Sequence, residues 1–135
     1  LARQHIVEVR KEIASLGLGT SATEIRKFRQ SLAESPDKNH QRLTESSDFY
    51  RLSTLRDLIF HVQEHRFTFP EIINCLKKLG LKFCGFESKD IISNFRKFHS
   101  NEADIYDLEL WHQFEERNPR VFAGMYQFWC QKALP

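Results

Sequence analysis

The chain reads as a mainly helical fold, a compact helical domain with at most a short two-stranded β element. Three observations predict it: apolar residues recur at helical spacing in several separate segments, Ser and Thr stand at the head of those segments as helix caps, and only two short runs could be strands. The 135 residues are enough for one domain, residues 1–135, that buries a core without disulfide or metal staples. Hydrophobic content of 41% and charged content of 28% are globular values, and a net charge of +2 gives no reason to expect nucleic acid or an anionic membrane as partner.

The elements follow in chain order. Ile6, Val9, Ile13 and Leu16 form a helical stripe over Ala2 to Ser15, stopped by Gly17 and Gly19. Ser21 with Glu24 makes a capping box for a helix carrying Ile25, Phe28 and Leu32, which ends near Ser35-Pro36. The polar stretch 35–47 is expected to be an exposed loop between two halves of one unit. Ser53 or Thr54 then caps a helix or opens a short strand through Leu58, Ile59, Phe60 and Val62, a choice that periodicity cannot make in so short a run. Thr68 caps a helix with Pro70 in its first turn and Gly80 at its end, and Leu81 to Phe86 alternates as a short strand. Any strand pair is expected between residues 58–62 and 81–86. Ser88 caps a helix bearing Ile91, Ile92, Phe95 and Phe98. Beyond it, Leu108 to Lys132 contains both tryptophans and the Asn118-Pro119 break, which reads as two aromatic helices with Trp111, Phe122, Met125 and Trp129 mutually buried.

Cys75, Cys84 and Cys130 lack the paired spacing of a zinc or disulfide framework and sit in apolar runs. They read as reduced core thiols of a cytoplasmic protein. No apolar run approaches the roughly 20 residues of a membrane span, and the opening segment is not a signal peptide. The chain opens on Leu1, which we read as the start of a fragment.

Two motifs carry possible chemistry. His61-Val62-Gln63-Glu64-His65 fits H-x-x-E-H, in which histidines at i and i+4 of a helix bind zinc while the Glu activates water. Such a site needs a third protein ligand, usually a Glu from a distant second helix, and the likeliest candidates, Glu109, Glu115 and Glu116, lie in the aromatic segment with none clearly facing inward; no metal is expected. Gly17-Leu18-Gly19-Thr20-Ser21-Ala22 matches G-x-G-x-x-A, but a dinucleotide loop follows a buried strand, and here a charged helical segment precedes it. It reads as a helix stop followed by a cap, so no cofactor-binding residues are assigned.

Four stretches, 46–50, 56–72, 79–87 and 111–132, together resemble the C-terminal region of bacterial class I S-adenosylmethionine-dependent methyltransferases of the type often fused to tetratricopeptide repeats. They include Arg56-Asp57-Leu58-Ile59-Phe60-His61-Val62-Gln63-Glu64-His65-Arg66 and Met125-Tyr126-Gln127-Phe128-Trp129. The resemblance implies that Thr68 to Gly80 and the strand after it correspond to a late helix and strand of the methyltransferase sheet. The family's glycine-rich loop and ribose-binding acid lie upstream of this region, and no residue here matches them. The implied role is a noncatalytic accessory or substrate-side segment, with no cofactor in this chain, S-adenosylmethionine in the parent protein, and the upstream methyltransferase domain as partner. His61, Glu64, His65 and Arg66 are then the candidate substrate-side polar cluster, with ordinary solvated side chains as the plainer alternative. Self-association of the fragment is expected from the unpaired edge of the 81–86 strand. Two other classes stay open: a stand-alone helical interaction module, marked by an exposed apolar patch, and a zinc hydrolase using His61, Glu64 and His65.

Overall fold

The structure, a computed structural model, describes residues 2–61, 64–100 and 102–133. It is a mainly α fold with one short two-stranded antiparallel sheet, as the helical spacing predicts. The chain divides into two compact units, residues 3–65 and residues 66–135 joined by 1–2.

In the first unit α1 spans Gln4–Leu16, α2 Ala22–Glu34, α3 Lys38–Thr44 and α4 Leu52–Ile59, with a 3-10 turn at Ser47–Phe49. The stripe of α1 buries Ile6, Val9 and Ile13 against Ile25, Phe28 and Leu32 of α2, Leu43 of α3 and Leu55, Leu58 and Ile59 of α4. Gly17 ends α1 at φ 62°, as Gly80 later ends a helix at the same angle. A side chain there would pay the left-handed penalty that glycine avoids.

Two expectations are corrected in this unit. The stretch 35–47 is not a continuous exposed loop: Asp37 accepts the backbone N–H groups of Asn39 and His40 to start α3, whose Leu43 is fully buried. Residues 58–62 supply no strand either. Leu58 and Ile59 close α4, while Val62 lies outside the described residues. The helix prevails because Leu55, Leu58 and Ile59 fall on one helical face and all reach the core.

The second unit runs α5 Phe69–Leu79, β1 Leu81–Phe86, α6 Lys89–Phe98, α7 Leu108–Arg117 and β2 Phe128–Lys132. The N–H and hydroxyl of Thr68 both donate to Glu71 at the head of α5 (2.7 and 2.8 Å), and Ser88 accepts from Ile91 N–H at the head of α6. The core is built from rings. Trp111 is fully buried, stacks on Phe95 at 4.0 Å between centroids, meets Phe86 edge-on at 4.6 Å, and donates its indole N–H to the carbonyl of Ile105 at 2.8 Å.

The expected second aromatic helix is absent. Asn118 caps the end of α7, turns occupy 119–124, Met125 has φ 106°, and the chain then runs as β2 antiparallel to β1. A positive φ at Met125 is incompatible with helix continuation. β1 therefore pairs with β2, in the register Leu81 to Lys132 and Phe86 to Phe128, with a bulge between Phe83 and Gly85. Trp111 and Phe122 are buried as expected, but Met125 is 57% and Trp129 65% exposed, so the four side chains do not form one cluster. The thiols are corrected too: Cys75 on α5 and Cys130 on β2 are exposed and Cys84 on β1 is partly so.

Candidate functional site

The polar cluster expected from the sequence begins where α4 ends. Phe60 closes that helix, and His61, Glu64, His65 and Arg66 all lie outside helices and are exposed residues, with Val62 and Gln63 outside the described residues. His61 and His65 are thus not presented at i and i+4 of a helix. Among the described residues, no group of three or more His, Cys, Asp or Glu side chains is placed to hold a metal ion.

Glu64 has a defined job. Its carboxylate pairs with the guanidinium of Arg10 on α1, and the same guanidinium donates from Nε and Nη2 to the carbonyl of Leu58 at 3.0 and 2.5 Å. The last turn of a helix leaves carbonyls without intrahelical donors, and a cation there also suits the negative end of the helix. Arg10 therefore closes α4 and fixes Glu64 at once. A carboxylate held this way is a positioned anion, not a free general base, so the arrangement favours a structural clamp at the mouth of the segment that carries His61 and His65.

The G-x-G-x-x-A match resolves as a cap. Glu24 accepts from the N–H of Gly19 at 3.1 Å and from the hydroxyl of Ser21 at 2.5 Å, and these bonds, Ser21 first and Gly19 next, hold its carboxyl below the usual range. A carboxylate already sits where a phosphate would have to bind.

Two polar clusters were not anticipated. His40 bridges three elements, bonding Glu12 of α1 through Nε2 at 2.6 Å and the Ser35 hydroxyl at the end of α2 through Nδ1 at 2.8 Å. Acid, imidazole and hydroxyl are thus in line. The order is nevertheless a tie and not a nucleophile site: Pro36 follows Ser35 and offers no N–H to an oxyanion, and the N–H of Asp37 is directed at the Ser35 hydroxyl. The sequence gives no signal for this tie, since Glu12 and His40 are 28 residues apart. In the second unit, Glu115 is 3% exposed and accepts from the Tyr126 hydroxyl through both carboxylate oxygens.

No helix among the described residues is long and apolar enough to cross a membrane. Comparison with protein-family models, curated proteins and solved structures finds no match to this chain.

Proposed function

We propose that this chain is the C-terminal accessory region of a bacterial class I S-adenosylmethionine-dependent methyltransferase, cytoplasmic and noncatalytic by itself, which completes or covers the upstream cofactor domain and shapes its substrate side. The observation that carries the reading is the resemblance of residues 46–50, 56–72, 79–87 and 111–132 to that region of the family. Its support is local: a capped helix followed at once by a strand stands at 69–86, where the resemblance asks for a late helix and strand of a larger sheet. In this reading His61, Glu64, His65 and Arg66 line the substrate side, with Arg10 setting the position of Glu64.

Calorimetric titration tests it. The parent protein is expected to bind S-adenosylmethionine and to lose substrate turnover when this region is deleted, while residues 1–135 alone give no saturable heat. Saturable binding by the isolated chain would overturn the noncatalytic assignment, and undiminished turnover after deletion would overturn the accessory role.

A further inference from the structure

β2 is an outer strand, and its ladder shows which backbone groups are spare. The N–H of Ala133 donates to Gly80 at 2.8 Å and that of Glu87 to the carbonyl of Gln127 at 2.9 Å, so both ends of the ladder are fixed. In an antiparallel pair, residues on one strand alternate between facing the partner and facing away. Gln127, Trp129, Gln131 and Ala133 therefore turn their backbone groups toward β1, and Phe128, Cys130 and Lys132 turn theirs outward. Among the described residues no third strand flanks this edge. Apart from its short length, β2 lacks the devices that usually protect an edge: it has no proline, its bulge lies on β1, and its single charge, Lys132, stands at the end.

We propose that a second copy of this chain pairs along this edge, β2 against β2 antiparallel about a two-fold axis at Cys130, which joins two two-stranded sheets into one of four strands. This goes beyond the methyltransferase reading and does not depend on it. The edge is self-complementary in that register. Cys130 of each copy exchanges both backbone hydrogen bonds, and Phe128 of one does the same with Lys132 of the other, so all three outward residues are satisfied. The two lysines fall at opposite ends of the interface, each with its aliphatic stem over a Phe128 ring and neither opposite a like charge. Trp129 decides the choice of occupant. Trp129 is 65% exposed, with its indole N–H donated to the Glu87 carboxylate. In this register it lies opposite Gln131 of the second copy and diagonal to that copy's Trp129, at a spacing of about 7–8 Å that aromatic side chains bridge. The two indoles thus cover each other, and a second copy supplies that ring at the required place.

The register also sets a chemical test. A hydrogen-bonded antiparallel pair holds its α-carbons about 5.5 Å apart, within the range a disulfide spans. Diamide, which takes the two thiol hydrogens and is itself reduced to the hydrazine, should link Cys130 to Cys130 in a Cys75→Ser, Cys84→Ser variant and fail once Cys130→Ser is added. Light scattering on the reduced 135-residue chain should show a mass that rises with concentration to twice that of one chain. Trp129→Lys should hold it at the single-chain mass with an unchanged far-ultraviolet circular dichroism spectrum. If that variant misfolds, Cys130→Pro replaces it, since it removes an outward N–H and leaves the bonds of Trp129 and Gln131 to β1. A chain that stays monomeric, or a dimer that resists these variants or does not link through Cys130, overturns the proposal.

Discussion

The hydroxyl of Tyr126 sits astride the carboxylate of Glu115, 2.8 and 2.9 Å from its two oxygens. Glu115 is on α7 and nearly inaccessible, while Tyr126 belongs to the segment that leads into β2, so the contact ties the last strand to the last helix. Burial first, and then the Glu115 carboxylate, pushes the tyrosine's titration far above its ordinary range.

Tyr126→Phe should therefore destabilise the chain by about 1–3 kcal/mol at neutral pH, the cost of taking a donor from a buried charged acceptor. The alkaline behaviour has a definite sign. The unfolded chain loses this proton near pH 10 and the folded chain keeps it, so stability is intact below pH 10 and falls as pH rises above it. Urea midpoints measured from pH 8 upward should fall more steeply in the wild type than in Tyr126→Phe; parallel slopes would disprove the link.

The two tryptophans should behave as opposites. Trp111→Ala removes a fully buried ring and is expected to cost about 3–5 kcal/mol. Trp129→Ala, measured at dilutions that favour the single chain, should change stability by less than about 0.5 kcal/mol, the range of ordinary surface substitutions. Equal shifts in denaturant midpoint would refute the packing described here.

Arg10 should matter more than its acidic partner. Arg10→Met strips the Leu58 carbonyl of both its guanidinium bonds and should cost about 1.5–3 kcal/mol, the value of a hydrogen bond from a charged group. Glu64→Gln keeps those bonds and removes an ion pair near the surface, worth about 0–1 kcal/mol. Thermal melts of the two variants give the order directly.

Zinc should leave the chain unchanged. A structural zinc site contributes about 10–16 kcal/mol of binding free energy, so a true one would raise the melting temperature strongly when loaded. The expected result is no shift on adding equimolar zinc, and the same melt for His65→Ala. A large zinc-dependent rise lost in that variant would revive the hydrolase reading.

Local signals were the legible ones. Ser21 with Glu24, Thr68 with Pro70, Ser88, and the stops at Gly17 and Gly80 all act within a few residues, and the helices they bound lie where the spacing puts them. α3 escaped because seven residues with one buried leucine make no stripe. β2 is hidden because its rings also fit helical spacing, although Tyr126, Phe128 and Cys130 alternate with Gln127, Trp129 and Gln131. What settled that choice is a partner strand more than forty residues earlier, which no local window contains. The same holds for the candidate site. H-x-x-E-H is visible as a string, but the arginine that holds its Glu64 is 54 residues away.

The pairing of β1 with β2 also has a consequence in time. On the ribosome β1 is complete at Phe86, but its partner begins only at Phe128. At synthesis rates of about 5–20 residues per second, that interval lasts roughly 2–8 s. Throughout it, the nascent segment carries a strand with no ladder and two phenylalanines, Phe83 and Phe86, whose final cover includes rings not yet made. The 81–86 segment can therefore reach its paired, ring-covered state only after the residues through Lys132 have been made.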